Sequence, residues 1–216
     1  MKNRIIIGIS GKQLSGKDTF AKMLIEILGK DGILFDRIGL ADALKQEYSN
    51  QKGISIKEIE QNKHLYRQDL IQLGQQRRNE DPYYWIDQVL SKEGNIIVPD
   101  VRFQNEKQAI EANGGIVIRL ESRLVERKKR GKLSCIHDHS EQMLDDLSSF
   151  MFIVENNKHK NTLKDTVRDF SSLILTYVLI EQNLHRNLYN FCNDLVLSLA
   201  KLHTALKINK ELRREL

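Results

Sequence analysis

The chain has 216 residues, a formal net charge of +5 and hydrophobic side chains at 40% of its positions. Its length fits one domain of ordinary size with an appendage, and no apolar run is long enough to span a bilayer. The short apolar run near the N-terminus leads into a stretch with glycine and lysine, which argues against a signal peptide. The charge suits an anionic ligand and does not by itself indicate nucleic acid.

Short apolar strands alternate with amphipathic helices along the chain. Five segments are predicted to be strands, in the order "RIIIGIS", "ILFDRIG", "NIIVPDV", "IVIRLE" and "FMFIV". The predicted helices are "KDTFAKMLIEILGK", "IKEIEQNKHLYRQDLIQLGQQRR", "PYYWIDQVLSK" with Pro82 in its first turn, and "QNEKQAIEAN". Strands that alternate with helices predict an α/β sandwich with a mostly parallel sheet.

The part of the chain after Gly131 contains no glycine or proline and therefore favours long helices. Two interpretations stay open, a helical hairpin packed on the core and a dimerising surface, and we favour a homodimer through the C-terminal helices. The cysteines Cys135 and Cys192 are too few for a disulfide framework and indicate reduced thiols in a cytoplasm. The helical seam consists of residues that advance by three or four: Leu184, Leu188, Phe191, Leu195, Leu199, Leu202 and Leu206.

The segment "IIIGISGKQLSGKDTF" has the glycine spacing of a phosphate-binding loop between a strand and a helix. Gly11 and Gly16 let the backbone fold around phosphate oxygens, while loop N–H groups and the helix N-terminus point at the anion. Lys12 and Ser15 lie within the loop, and Lys17 can reach the outer phosphates of a nucleoside triphosphate. A chance glycine-rich turn is the alternative, but strand, spacing, lysine and helix agree.

Asp18 stands where such loops usually carry a serine or threonine hydroxyl that binds Mg²⁺. A carboxylate can also hold Mg²⁺, and Thr19 offers a hydroxyl one position later. Asp18 can equally be an acid in the first helical turn that interacts favourably with the helix dipole. The sequence leaves both roles open.

Asp100 and Arg102 stand at the C-terminal end of the predicted strand "NIIVPDV". Ligands of open α/β sheets bind at that edge. Asp100 can orient a Mg²⁺-bound water or the acceptor, and Arg102 can hold a phosphate oxygen. A surface ion pair is the alternative for both residues.

A basic cluster precedes a polar loop and can form a lid whose cations neutralise a transferring phosphoryl group. A solvated basic helix face and a nucleic-acid patch are the alternatives. The nearby His137, Asp138, His139 and Glu141 lack the spacing of a structural zinc site, so we expect Asp138 or Glu141 to form ion pairs that shape the lid. The basic cluster consists of Arg119, Arg123, Arg127, Lys128, Lys129, Arg130 and Lys132.

The stretch "LYRQDLIQLGQQRRNEDPYYWI" carries groups that suit a nucleotide acceptor. The amides of Gln72 and Gln75 can bind a base edge, and Arg67 and Arg77 can hold its phosphate. Trp85 can stack on a base, a contact worth about 1–3 kcal/mol in single-strand binders. The alternatives are a core position for Trp85 and ordinary helix surface for the other four.

Several segments together resemble the phage-type deoxynucleoside monophosphate kinases: "GKQLSGKDT", "GLADALKQ", "LIQLGQQRR…DPYYWI", "PDVRFQNEKQAIEANGGIVIRL", "HDHSE" and "FIVEN". Their order and spacing match over roughly residues 4 to 170. Animal phosphomevalonate kinases are similar in the P-loop, in the "RxxRG" lid pattern and in "IVEN". The resemblance implies a P-loop kinase core over residues 1–165, with an acceptor-binding helical insertion at about 40–92, a lid at about 121–141 and a C-terminal helical extension over 166–216.

The same resemblance implies a nucleoside-monophosphate-kinase-like three-layer sandwich with a five-stranded sheet. It also implies transfer of the γ-phosphoryl group of ATP, with Mg²⁺, to the phosphate of a deoxynucleoside monophosphate. Lys17 would be the P-loop lysine, and Arg102 would belong to the acceptor-phosphate and transfer site. Arg127 and Arg130 would be the lid cations.

Other residues receive roles from the resemblance alone. Lys45 would lie near the acceptor, and Asn156 or Asn157 near the adenine of ATP. Gln13 replaces a basic residue that some relatives carry, so one phosphate contact would be missing or would be supplied by Lys12. A phage-encoded protein of this kind would work in the host cytoplasm.

The leading hypothesis is therefore a deoxynucleoside monophosphate kinase whose partners are ATP and its acceptor, with no nucleic acid and no membrane. Phosphoryl transfer to an anionic phosphate oxygen needs positioning and charge neutralisation more than a general base. A kinase of another phosphorylated small molecule, such as phosphomevalonate, and a non-catalytic ATP-binding interaction module are the alternatives.

Overall fold

The computed structural model describes residues 4–133, 139–157 and 160–183, without the side chains of residues 139, 147 and 177–183. By internal contacts, the chain divides into two compact units, Met1–Thr166 and Val167–Leu216. In the second unit, the structure describes the continuation of one helix as far as Asn183. The predicted dimer seam and both cysteines lie outside the described residues.

Five strands form a single parallel sheet in the first unit. They are β1 (Ile6–Gly11), β2 (Asp36–Arg37), β3 (Ile96–Val101), β4 (Ile116–Glu121) and β5 (Phe152–Glu155). Their order is β2-β3-β1-β4-β5, and each neighbouring pair is parallel. The central position of β1 explains its continuous apolar run, because both faces of such a strand are covered. The α/β fold with a parallel five-stranded sheet is confirmed.

Helices supply the connections between the parallel strands. The described helices are α1 (Lys17–Lys30), α2 (Leu40–Lys52), α3 (Ile56–Gln61), α4 (Lys63–Glu80), α5 (Tyr84–Leu90), α6 (Gln104–Ala112), α7 (Leu124–Arg130) and α8 (Lys160–Asn183). Two short 3₁₀ turns, His139–Glu141 and Leu147–Ser149, lie between α7 and β5.

The two faces of β1 are covered by different helices. Ile6 belongs to a buried cluster that includes Trp85 of α5 and Ile110 of α6. Gly8 points to the same face, and a Cβ there would lie 2.8 Å from Ile110 Cδ1, so α6 packs close to the sheet. Ile7 points to the opposite face, and α1 packs against β1 and β3. The sheet therefore lies between helical layers, as a three-layer sandwich requires.

Three of the predicted elements differ from the structure in ways that bear on the site. The strand predicted over "ILFDRIG" pairs with β3 only at Asp36 and Arg37. The long helix predicted after Ile56 is interrupted at Asn62, whose φ of −116° and ψ of 37° are not helical. Asparagine side chains compete with helical backbone hydrogen bonds, which accounts for a break at this position. The last helix of the insertion begins at Tyr84, two residues after Pro82.

Trp85 occupies a core position, the alternative that the sequence left open beside stacking on a base. Its side chain is 2% exposed, and its Nε1 donates to the Gly74 carbonyl oxygen at 3.2 Å. The indole ring also meets the Tyr84 ring edge-to-face, with centroids 4.8 Å apart. Since both the ring and its N–H are already engaged, Trp85 holds α5 against α4.

The helix α8 carries one apolar stripe. Its buried hydrophobic residues are Leu163, Val167, Phe170 and Ile174, which recur at helical spacing. Among the helices that the structure describes, none combines the length and the apolarity that a bilayer crossing needs.

Candidate active site

The loop between β1 and α1 folds as a compact P-loop. Gly16 adopts φ 102°, a left-handed conformation that favours glycine, and directly precedes α1. Leu14 adopts φ 61°, which is strained for a residue with a side chain. Strained residues of this kind concentrate at ligand-binding sites when the surrounding contacts hold them in place. The contacts that hold this loop come from α7, from the residues after β5, and from Glu141 and Asp145 between them.

Lys17 lies folded against its own loop. Its side chain is nearly buried, and Nζ donates to the carbonyl oxygens of Gly11 at 2.5 Å and Lys12 at 3.0 Å. Burial and the nearby charge of Arg102 lower the pKa of Lys17 to about 8. The ammonium group is therefore held at the mouth of the loop, where a triphosphate would bring compensating negative charge.

Two arginines of α7 bind the carbonyl oxygens of the P-loop. Arg127 donates to the Gln13 carbonyl at 3.3 Å. Arg130 donates to the carbonyls of Leu14 at 3.1 Å and Ser15 at 3.2 Å. The structure therefore brings both predicted lid cations to the loop, as donors to its backbone.

Asn156 and Asn157 support this arrangement from the end of β5. Asn156 is buried, and its Nδ2 donates to the Ser15 carbonyl at 2.8 Å. The backbone carbonyl oxygen of Asn156 accepts from Ser122 Oγ at 2.8 Å and from Arg130 Nη2 at 2.5 Å. Asn157 Oδ1 accepts from the Arg123 N–H at 2.7 Å, just before α7. These asparagines hold the loop and the start of α7, a role the adenine prediction did not include.

Arg102 reaches the P-loop region from the end of β3. Its Nη1 donates to Ser140 Oγ at 3.3 Å and forms an ion pair with Glu141. The other Glu141 oxygen, Oε2, accepts from the Gln13 N–H at 2.6 Å. Burial alone would raise the pKa of Glu141, but the Gln13 N–H and the Arg102 charge outweigh it and lower the pKa below its ordinary value.

Asp100 caps α2 with both carboxylate oxygens. Oδ1 accepts from the Leu40 N–H and Oδ2 from the Ala41 N–H, each at 2.8 Å. Desolvation raises the pKa of Asp100 above its ordinary value, although these hydrogen bonds oppose the change. Asp100 thus lies near Lys17 and Arg102, but its oxygens are committed to the helix terminus.

Asp18 lies largely exposed in the first turn of α1. Its Oδ1 accepts from Arg37 Nη2 at 3.0 Å, and Arg37 Nη1 pairs with Asp42 at 2.9 Å. Thr19 follows it in α1. Across residues 4–133, 139–157 and 160–183, no group of three or more His, Cys, Asp or Glu side chains is placed to hold a metal ion. Metal binding by Asp18 stays a prediction, as does the helix-dipole interpretation.

The predicted acceptor residues fall into separate environments. Lys45 forms ion pairs with Asp42 at 3.3 Å and Glu60 at 2.5 Å. Arg77 pairs with Glu47 at 2.8 Å and lies over the Tyr84 ring. Among the contacts of the described residues, neither cation binds the P-loop.

Arg77 also lines a cavity of about 750 Å³ between α2 and α5, together with Glu47, Gln46, Asn50 and Tyr84, whereas no P-loop residue lines it. The remaining predicted acceptor residues, Arg67, Gln72 and Gln75, are exposed on α4. Gln72 and Gln75 line a second hollow of about 480 Å³ along that helix. The insertion therefore offers polar surfaces away from the loop.

Arg119 does not belong to the lid, which corrects its place in the basic cluster. It is buried within β4, where it donates to Glu121 at 2.6 Å, Ser10 Oγ at 3.2 Å and Asp145 at 3.2 Å. Asp145 also pairs with Lys12 at 2.8 Å. Lys12 is therefore bound to a carboxylate, and the prediction that it replaces a missing basic residue at Gln13 stays untested.

Sequence reasoning passed over Arg37 and Asp145. Arg37 ends β2, so the rule that placed Asp100 and Arg102 at the carboxyl edge of the sheet could have identified it. Asp145 follows no motif, and no local pattern points to its partners Lys12 and Arg119. Glu141 was considered for ion pairs, but its contact with the P-loop amide carried no sequence signal.

Two buried polar atoms at the P-loop fit a bound phosphate. Ser15 Oγ and Arg127 Nε have no hydrogen-bond partner, and they are the two such buried side-chain atoms in the described part of the chain. Buried donors are normally satisfied by protein, water or ligand. The adjacent loop N–H groups and the N-terminus of α1 favour an anion at the same place. The residues present therefore fit a nucleoside triphosphate.

The depressed pKa of Lys17 predicts a pH dependence of Mg·ATP binding. The ammonium form is present below the folded-state pKa of about 8 and is lost as the pH rises through it. Because the bound anion stabilises the charged lysine, the affinity should fall above that value by at most about tenfold per pH unit. Isothermal titration calorimetry at a series of pH values, with Lys17→Met as the control, measures the change. An affinity that stays constant across this range would contradict the prediction.

The sequence profile of the phosphomevalonate kinase family matches residues 9–115. This range includes the P-loop, the helices α2–α5, and β3 with α6. The match therefore covers Lys17 and Arg102 and ends before α7.

Several solved kinases are similar at low identity. The shikimate kinase of Aquifex aeolicus is 18% identical with a TM-score of 0.46, over 79% of this chain and 98% of that chain. The dephospho-CoA kinase of Campylobacter jejuni is 17% identical with a TM-score of 0.46, over 81% and 98%. The Mycobacterium tuberculosis APS kinase, in complex with AMPPNP and APS, is 12% identical with a TM-score of 0.44, over 81% and 99%. Sequence identities and TM-scores this low do not indicate the substrate of this chain.

The family match and the P-loop geometry point in one direction. A strand, a glycine-rich loop, a buried lysine and a helix follow one another as in phosphate-binding sites. Residues 9–115, which contain the end of β1, the loop, Lys17 and α1, are similar to a kinase family. Together they support a P-loop kinase that acts on a small molecule.

Proposed function

We propose that this chain transfers the γ-phosphoryl group of ATP to the phosphate of a deoxynucleoside monophosphate. The observation that carries the proposal is that Lys17, Arg127 and Arg130 bind carbonyl oxygens of one P-loop, while Arg102 is linked to the same loop through Glu141. A transferring phosphoryl group spreads negative charge over its oxygens, and catalysis depends mainly on cations placed around it.

The binding half of the site follows from the loop. The N–H groups at the start of α1 and the Lys17 ammonium would bind the phosphates, and the free Ser15 Oγ and Arg127 Nε would add two hydrogen bonds. When bound, Mg·ATP supplies the activated phosphoryl group and a divalent charge. Asp18 or Thr19 would hold the metal, as predicted from the sequence.

The acids beside the loop favour a phosphate acceptor over a hydroxyl acceptor. A hydroxyl acceptor loses a proton during transfer, and a nearby general base, often a carboxylate, assists by accepting it. Asp100 accepts hydrogen bonds from two N–H groups of α2, and Glu141 is bound to Gln13 and Arg102. An acceptor phosphate oxygen is already anionic, so neither carboxylate is needed as a base.

The choice of a deoxynucleoside monophosphate rests on the segments shared with phage-type kinases. These segments continue past α6 through "HDHSE", which lies outside residues 9–115 that match the phosphomevalonate kinase profile, and through "FIVEN", whose last four residues animal phosphomevalonate kinases share. Glu141 ends the first of these segments and Asn156 ends the second. Both side chains contact the P-loop, which supports a functional origin of the shared residues.

Phosphomevalonate is the second candidate acceptor, because the family match over residues 9–115 favours it. It also offers an anionic phosphate to Arg102. A non-catalytic ATP-binding module is the remaining alternative, and it predicts Mg·ATP binding without turnover.

A coupled assay of ADP release with an acceptor panel tests the proposal. The panel contains dAMP, dCMP, dGMP, dTMP and phosphomevalonate with Mg·ATP, and the matching deoxynucleosides serve as controls that lack the phosphate. We expect turnover with at least one deoxynucleotide and none with the deoxynucleosides. Turnover with phosphomevalonate alone would replace the acceptor, and Mg·ATP binding without any turnover would favour the module.

A further inference from the structure

Glu141 joins three parts of the site through one carboxylate. Its Oε2 accepts from the Gln13 N–H of the P-loop at 2.6 Å, and its Oε1 pairs with Arg102 at the end of β3. The residue itself ends the 3₁₀ turn His139–Glu141, which follows α7 in the chain. Its side chain is only 7% exposed, so the two hydrogen bonds form with little competition from water.

Within the described part of the chain, few other contacts hold Arg102. Among the described residues, its side chain binds Ser140 Oγ at 3.3 Å and Glu141, both in the same short turn. A guanidinium on a flexible stem loses rotamer entropy when it is held in one place. A charge-assisted hydrogen bond to a buried carboxylate is strong enough to offset that loss.

From this geometry we propose that Glu141 is a positioning residue for phosphoryl transfer. It aims the Arg102 guanidinium at the space in front of the P-loop and fixes the Gln13 amide at the same time. It acts through Arg102 and does not itself touch the transferred group. This role rests on the proposed function for its kinetic effect, whereas the ordering of Arg102 is a property of the protein alone.

The first test needs no substrate. Glu141→Gln removes the charge, and its amide oxygen can still accept from the Gln13 N–H. NMR relaxation of the arginine Nε–Hε groups should show Arg102 ordered in the wild-type protein and mobile in Glu141→Gln. Arg119, which pairs with Glu121 at 2.6 Å inside β4, is the internal control and should stay ordered in both. An Arg102 side chain that is equally ordered in both proteins would overturn the proposal.

The second test is a double-mutant cycle with the acceptor that the enzyme phosphorylates. Small misplacements of a group in the transition state reduce rates by about 10²-fold, so Glu141→Gln should lower kcat/KM for the acceptor by about 10- to 100-fold. The Kd for Mg·ATP should change less than about threefold, because the loop lysine and α7 remain. In an Arg102→Gln background, the Glu141→Gln change should have almost no further effect, since both act through one group.

Two kinetic outcomes would contradict the role. If the fold-loss in kcat/KM of the double variant equalled the product of the two single-variant losses, Glu141 would act independently of Arg102. Tighter Mg·ATP binding in Glu141→Gln would mean that the carboxylate competes with phosphate for the Gln13 amide. Glu126→Gln, a change of the same type at the Lys129 ion pair on α7, is the matched control and should leave kcat/KM unchanged.

The two proposals can fail separately. Loss of Arg102 order in Glu141→Gln without turnover of any deoxynucleotide would refute the proposed acceptor and leave the positioning role in place. Turnover of a deoxynucleotide with unchanged Arg102 order would support the proposed acceptor and refute the positioning role.

Discussion

Replacing Lys17 with methionine is expected to lower kcat by about 10²- to 10³-fold, the loss typical of removing one donor that stabilises transition-state charge. Methionine fills a similar volume in this nearly buried position but cannot donate to phosphate. In this structure the Lys17 ammonium group donates to the Gly11 and Lys12 carbonyls, and on nucleotide binding it would donate to the triphosphate instead. Steady-state kinetics with the best acceptor of the panel measures the effect.

Lys22→Met on the same helix is the matched control. Lys22 is exposed and reaches Glu26 only at 4.0 Å, so its removal should leave kcat unchanged. Thermal unfolding of both variants would show that the fold survives. If Lys17→Met kept a kcat close to that of the wild type, the P-loop would not be the site of transfer.

Replacing Arg130 with alanine is expected to reduce kcat/KM by about 10³-fold, within the range known for arginines that stabilise phosphoryl transfer. Arg130 binds the Leu14 and Ser15 carbonyls, Ser122 Oγ and the Asn156 carbonyl. Its loss would remove a lid cation and release the strained part of the P-loop. Acceptor kinetics and Mg·ATP calorimetry together separate these two consequences.

Arg130→Lys should recover little of the activity, because an ammonium group places its three donors at one point, whereas the planar guanidinium spreads five donors and here reaches four oxygens through two nitrogens. The matched control is Lys128→Ala, an exposed cation on the same helix, which should have no effect if general positive charge is unimportant. Equal losses in Lys128→Ala and Arg130→Ala would indicate a diffuse basic surface in place of a specific lid residue.

The local patterns of this sequence predicted the fold well. The segment "IVIRLE" coincides with β4, and the glycine spacing placed the loop between β1 and α1. Such patterns are encoded by neighbouring residues, since burial on both faces of a strand requires a continuous apolar run. The strand "ILFDRIG" was overestimated because an apolar run does not say how many residues find a partner.

The contacts of the site were harder to predict because they join distant parts of the chain. Glu141 and the Gln13 N–H are 128 positions apart, and no periodicity links them. Trp85 shows a second difficulty, since an aromatic residue beside polar residues fits both a stacking role and a core role. Only its packing against α4 decided between them.

The link between Asn156 and Ser15 has a consequence for heat inactivation. The strand β5 lies at the edge of the sheet and pairs on one side only, with β4. Edge elements open locally at lower free energy than the centre of a sheet. When β5 frays, Asn156 leaves the Ser15 carbonyl, and the phosphate loop loses its support while the central strands remain intact. On warming, nucleotide binding should therefore be lost at a lower temperature than that of global unfolding.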